Sequence, residues 1–172
     1  DIGHLDVIKY LVEQGANKNA KVSRGYTPLH LLAAENVNSN MDAIMYLVDK
    51  GANKEAKDSG GRTPLYLAVQ EDHINVIKYL LEQGANKDAA EDSDGYTPLH
   101  CAADNGHLNV IKCLVEQGAN KDAVELWDER TPLNIAAERG YLNVIEYLLE
   151  QGANKDAADR KKYTPLHKAA DN

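Results

Sequence analysis

Two phrases return five times each along this chain: Thr-Pro-Leu, beginning at Thr27, Thr63, Thr97, Thr131 and Thr164, and Gly-Ala-Asn, beginning at Gly15, Gly51, Gly84, Gly118 and Gly152. Successive Thr-Pro-Leu starts lie 36, 34, 34 and 33 residues apart. At that period each unit is one small supersecondary element that cannot bury its own apolar face. Fold and function must both come from stacking.

The same phrases mark where helices begin and end. Threonine supplies an N-cap oxygen, and proline fits the first helical position, where a missing N–H costs nothing. Each Thr-Pro-Leu therefore opens a helix. Glycine suits the left-handed position that closes a helix, and Gly118 follows Leu108, Ile111, Leu114 and Val115, apolar residues spaced by three and four. Each Gly-Ala-Asn therefore ends a second helix. A short turn such as Asp104-Asn105-Gly106-His107 separates the two, and a polar loop leads from each Gly to the next Thr. The unit reads helix, turn, helix, extended loop.

At this level of detail the chain resembles the ankyrin repeat, through Gly95-Tyr96-Thr97-Pro98-Leu99-His100-Cys101-Ala102-Ala103, then Gly106-His107-Leu108, then Gly118-Ala119-Asn120. The resemblance covers essentially the whole sequence. It implies an all-α solenoid of stacked antiparallel helix pairs with projecting β-hairpin or loop fingers, one array over 1–172. Residues 1–20 would be a partial first repeat with its second helix only. Four complete repeats would start near 21, 57, 90 and 124, and 158–172 would be a partial last repeat with its first helix only. Both ends thus cut a repeat, and Ile2, Leu5, Ile8, Leu11 and Val12 have no preceding helix to cover them, which reads as an excerpt of a longer array. A second reading is that the ends complete each other between molecules, head to tail, instead of the chain being a monomer; such contacts do not close.

Departures from the repeat say more about function than the matches. From Thr27 to Gly51 the chain counts 24 residues where later units count 21, so three residues are inserted around Asn36-Val37-Asn38-Ser39-Asn40-Met41 and that turn should bulge. The Gly-to-Thr intervals are 12, 12, 13, 13 and 12, so the fingers at 84–97 and 118–131 should differ in shape from the others. Lys18, Lys54, Lys87, Lys121 and Lys155 form a column beside Asn19, Glu55, Asp88, Asp122 and Asp156. The expectation is two solvated charge ladders, with lysine stems lying on apolar surface.

Composition narrows the partner class. A net charge of −8 argues against nucleic acid, which demands a clustered basic surface. Arg160-Lys161-Lys162 is the one concentrated basic run and reads as a solvated fingertip. No apolar stretch is long enough to span a membrane, and no signal peptide is visible. The two cysteines, Cys101 and Cys113, stand where the preceding unit has Leu67 and Tyr79, so they read as buried free thiols in a reducing, cytoplasmic or intracellular setting.

Catalysis finds little support. His30, His100 and His167 follow Thr-Pro-Leu, with Tyr66 and Asn134 in the other two units. Helix layers about 8–10 Å apart cannot share a metal ligated at ~2 Å. The family resemblance makes this histidine a structural hydrogen-bonding residue, and His107 and His4 belong to the same frame, with Asp72-His73 repeating that turn without its glycine. No nucleophile with its own base, phosphate loop or carboxylate pair stands apart from the repeat. No catalytic residue, metal or cofactor is assigned.

Recognition remains, and the resemblance implies fingertips and the concave face of the first helices. The varying positions there are Lys21, Ser23, Arg24 and Tyr26; Lys57, Ser59 and Arg62; Ser93, Asp94, Tyr96, Asp104 and Asn105; Glu125, Leu126, Trp127, Asp128, Arg130, Glu138 and Arg139; and Arg160, Lys161 and Tyr163. The partner-binding candidates among them are Arg24, Tyr26, Arg62, Tyr96, Asp104, Asn105, Leu126, Trp127, Arg130, Glu138, Arg139 and Arg160, for a protein partner of unassigned identity. Trp127 leads, as the single tryptophan of a Phe-free chain, with Leu126 beside it where other units carry Ser, Asp or Gly. Two readings stand for it. Trp127 is an exposed anchor, or the extra residue and Glu129 in place of the usual glycine fold the finger back so that Trp127 covers a neighbouring hairpin. For the tyrosines, finger packing is expected ahead of direct contact. Two functions also stand: a protein-binding module or scaffold, and a structural spacer with no partner on these repeats.

Overall fold

The structure is a computed structural model that describes residues 3–35, 40–91 and 94–171. The chain forms two compact units, Asp1–Asn86 and Lys87–Asn172. The first contains α1 (Gly3–Glu13), α2 (Pro28–Ala34), α3 (Met41–Asp49), α4 (Pro64–Gln70) and α5 (Ile74–Glu82). The second contains α6 (Pro98–Asn105), α7 (Leu108–Glu116), α8 (Pro132–Arg139), α9 (Leu142–Glu150) and α10 (Pro165–Ala170). Among the described residues there is no strand. The fingers are hairpin-like loops, each closed by one backbone bond, as from Asp58 N–H to Arg62 O at 3.0 Å and from Glu125 N–H to Arg130 O at 3.1 Å.

Inner helices α2, α4, α6, α8 and α10 each begin at the proline after a threonine, as the repeated phrase requires. Thr63 Oγ1 accepts the Tyr66 N–H at 3.2 Å and Thr131 Oγ1 that of Asn134 at 3.2 Å, satisfying a donor that a bare helix start leaves orphaned. Outer helices end in the predicted glycines. Gly118 takes φ +79°, its N–H bonds Val115 O, and Ala119 N–H reaches back to Leu114 O at 2.9 Å, a pair of bonds that closes the last turn. The same pair recurs at Gly15, Gly51, Gly84 and Gly152.

In the first unit α2 packs on α4, and α1, α3 and α5 lie in sequence behind them; in the second α6 packs on α8, α8 on α10, and α7 on α9. Equivalent slots fill the two cores. Leu29, Ile44, Leu47, Leu65, Ile77 and Leu80 are fully buried in one, and Leu99, Ile111, Leu114, Leu133, Ile135 and Leu148 in the other. Burying each contributes roughly 1.5–3 kcal/mol. The packed inner helices carry alanines without exposed surface, Ala33 on α2 and Ala68 on α4 in one unit and Ala102 on α6 and Ala136 on α8 in the other.

The expected bulge falls on residues 36–39, which lie outside the described residues, and α3 starts directly after Asn40. Ile2, Ser93 and Asn172 also lie outside them.

Candidate functional site

Three of the fingers are held by a carboxylate, from Asp58, Glu125 and Asp159, at the residue that opens the closing turn. Asp58 Oδ1 accepts the N–H groups of Gly60 at 2.9 Å and Arg62 at 2.8 Å. Asp159 Oδ1 does the same for Lys161 at 2.9 Å and Tyr163 at 2.8 Å. At 118–131, where the finger is one residue longer, the brace is Glu125, which accepts Trp127 N–H at 2.7 Å, Asp128 N–H at 3.0 Å and Arg130 N–H at 3.3 Å. One more residue in the turn is matched by one more methylene in the side chain. The other long finger closes over the same five-residue step, from Glu91 N–H to Tyr96 O, and also has Glu at that position.

Glu125 is therefore corrected from a surface candidate to a structural brace with 1 % of its surface exposed. Burial pushes its carboxyl up, but the N–H groups of Trp127 and Arg130 and the Arg130 guanidinium outweigh burial and hold it below the usual carboxylate range. Asp58 behaves alike: burial opposes ionisation, and the Arg62 guanidinium and N–H overcome it.

On this frame the finger tip presents its apolar residues outward. Val124, Leu126 and Trp127 are 53 %, 61 % and 64 % exposed. The loss of glycine does not fold the finger back, because Glu129 adopts φ +57°, close to the +64° of Gly95. Trp127 is nonetheless tied to its neighbour, with Nε1–H donating to Asp94 Oδ1 at 2.8 Å. Leu126 N–H donates to Asp94 O at 2.7 Å, and its side chain lies so close over Gly95 that a Cβ there would sit 2.8 Å from Leu126 Cγ. From the following finger, Arg160 N–H donates to Asp128 O at 2.7 Å and Arg160 Nη2 to Leu126 O at 2.8 Å. The ring is thus exposed, and its edge is fixed on the neighbouring finger.

Below the tips, the inner helices bring candidates together as ion pairs. Arg130 bonds Glu125 at 3.1 Å and Glu138 at 3.3 Å, Arg139 bonds Asp104 at 2.6 Å, and Lys168 joins Glu138 at 3.6 Å to Asp159 at 3.0 Å. Asn105 donates to Cys101 O within its own helix. Tyr96 stacks on His100 with centroids 5.2 Å apart, and burial, then the Asp104 charge, push its hydroxyl well above the usual range. In the first unit, Arg62 bonds Asp58 at 2.8 Å and the Tyr26 hydroxyl at 2.8 Å, while exposed Arg24 gives its carbonyl to Ser59 N–H. These tyrosines pack within fingers, as expected.

The histidines after Thr-Pro-Leu are structural. His100 Nδ1 accepts Thr97 N–H at 3.1 Å, so its proton is on Nε2, which donates to Arg130 O at 3.1 Å. Burial pushes the imidazole down to about 4. His30 repeats the arrangement with Thr27 and Arg62 O, and Asn134 replaces it with an amide that accepts from Thr131 and donates to Ala157 O. Both cysteines are buried. Among the described residues no group of His, Cys, Asp and Glu is arranged to hold a metal ion, and no helix is long and apolar enough to cross a membrane.

The acidic column is more than a solvated ladder. Asn19, Glu55, Asp88 and Asp122 accept the backbone N–H groups of Asn53, Asn86, Asn120 and Asn154 at 2.8, 3.0, 2.9 and 2.8 Å. A side chain one repeat earlier thus caps a turn one repeat later. The lysine stems do lie on the chain, as where Lys87 Cε approaches Gly118. Apolar grooves of about 220 Å³ beside Leu149 and Leu166 and about 130 Å³ beside Leu11 and Leu47 share no residue with the finger candidates.

A family model described as ankyrin repeats, three copies long, matches residues 1–91, 32–125, 85–159 and 121–172. Among curated proteins, none matches this sequence.

Proposed function

We propose, from the premise that this chain belongs to the ankyrin-repeat family, that it binds a partner protein through its fingers and inner helices. Members of the family are generally protein–protein interaction modules and typically non-enzymatic scaffolds. The finer assignment uses Arg24, Tyr26 and Arg62 in the first unit. In the second it uses Tyr96, Asp104, Asn105, Leu126, Trp127, Arg130, Glu138, Arg139 and Arg160. Two buried cysteines support a reducing, intracellular setting for this work.

The observation that carries the reading is the finger at 124–130. Apolar side chains held outward by a buried carboxylate require no ordering on contact, and an aromatic anchor in such a place is worth about 2 kcal/mol or more to an interface. The spacer reading draws on a different fact: Arg62, Arg130, Arg139 and Arg160 are all engaged by acids or carbonyls of the chain itself. Capture from lysate with the intact chain beside a Leu126→Ala, Trp127→Ala variant of equal helicity separates the two. Loss of one specific protein supports the module. A capture pattern identical for both proteins refutes a role for this finger, and no specific capture by either favours the spacer.

A further inference from the structure

Aromatic rings on this chain are repeatedly covered by cations. Arg62 lies over Tyr26 at 5.9 Å, Lys50 over Tyr46 at 5.5 Å, Lys112 over Tyr147 at 5.6 Å and Lys168 over Tyr163 at 5.6 Å. Trp127 carries the strongest π face for such a contact, yet among the described residues no cation lies over it, although Arg160 approaches within the same finger pair. Arg160 is drawn aside instead, to Leu126 O and to Glu129 Oε1 at 3.5 Å.

The surroundings of the ring carry acids in excess. Asp94 accepts the indole N–H, which removes the edge from play and leaves the faces. Asp128 and Glu129 follow directly in the chain, with side chains 48 % and 55 % exposed. Three carboxylates thus belong to this finger pair against two guanidiniums, Arg160 beside Glu129 and Arg130 with its Nε 3.9 Å from Asp128. Leu126 and Val124 extend the apolar side of the same tip, giving a long side chain's methylenes something to lie on.

We propose that the Trp127 face receives an arginine or lysine side chain from a basic segment of the partner protein, with the cation over the indole and its N–H groups directed to Asp128 and Glu129. This inference rests on the binding-module reading and gives its partner a chemistry. The indole is pre-oriented by Asp94, so the contact costs little ordering, and the carboxylates make it sensitive to salt.

The test selects random peptides displayed on phage against the intact chain, then titrates the enriched peptides in synthetic form, reading the fluorescence of Trp127 or, for its variants, heat. Enriched peptides are expected to carry Arg or Lys and a net positive charge. They should lose about tenfold in affinity on Trp127→Leu, which keeps apolar bulk but not the π face, and only about twofold on Trp127→Phe. A combined Asp128→Lys, Glu129→Lys variant should weaken the same peptides at low salt far more than at high salt. Peptides that need Trp127 but lack basic residues, or that bind Trp127→Leu undiminished, overturn the inference while leaving the binding module standing. A Trp127-dependent capture from lysate with no enrichment of basic peptides overturns it in the same way. Peptides indifferent to Trp127→Ala overturn both this inference and the role of the finger.

Discussion

Replacing Glu125 by aspartate tests the match between finger length and brace length. The Glu125 carboxylate accepts three backbone N–H groups and the Arg130 Nε–H, and its side chain is 2 % exposed. Aspartate serves at 58 and 159 because the turn it braces has four steps, to Arg62 and Tyr163; at 125 the turn has five, to Arg130. An aspartate here is one methylene short and reaches at best part of the set. A hydrogen bond to a charged group contributes about 1.5–3 kcal/mol, and water recovers part of that at an exposed tip, so losing two or three bonds costs about 3 kcal/mol. Glu125→Ala should cost about the same. The single tryptophan sits in the turn, so its fluorescence follows the finger while far-ultraviolet circular dichroism follows the helices. In Glu125→Asp the fluorescence transition in urea should precede the helical one, and the amides of Trp127, Asp128 and Arg130 should lose exchange protection. Deleting Leu126 in the same variant restores the four-step turn of 58–62 and should recover most of the loss. Glu125→Asp with unchanged transitions and unchanged amide protection refutes the length argument outright.

Three other outcomes follow from the same geometry. His100 stays neutral in the fold down to about 4, whereas the unfolded chain takes up its proton near 6.5. The unfolded state therefore binds more protons between these values, and stability present above pH 6.5 falls as pH drops to about 4, by about 3 kcal/mol in all. His100→Asn, copying the slot of Asn134, should flatten that slope in urea titrations taken at several pH values. Asp72, Glu129 and Lys162 hold φ of +57°, +57° and +70°, and replacing each by glycine relieves a left-handed backbone at the expense of chain entropy. Each should raise the urea midpoint by about 0.5–1 kcal/mol equivalent, and a lowered midpoint contradicts the strain. Asp122→Ala removes the acceptor of Asn154 N–H and should cost about 1 kcal/mol, visible as faster exchange of that one amide.

The helix frame was legible because its signals are local. A threonine followed by proline caps a helix through bonds made within three residues, and a glycine ends one through bonds made within five, so Thr131 and Gly118 announce themselves in the linear chain. Buried thiols at Cys101 and Cys113 and a structural role for His100 were likewise readable from their slots. The finger braces were not recognised, although a signal was present: Asp58 and Asp159 accompany short fingers, Glu91 and Glu125 long ones. Asp122 passed for a solvated charge because its acceptor role depends on Asn154, one repeat away.

Period, helix positions, slot occupancy and family were determined by the sequence itself, since each rests on contacts between residues close in the chain and repeated in register. Tertiary structure alone decided the state of the candidate site: which arginines are engaged, which carboxylates are buried, and that Trp127 faces outward with its edge on Asp94. Those outcomes depend on pairings some thirty residues apart, Asp94 with Trp127, Asp104 with Arg139 and Leu126 with Arg160, where small differences in turn length set which donor meets which acceptor.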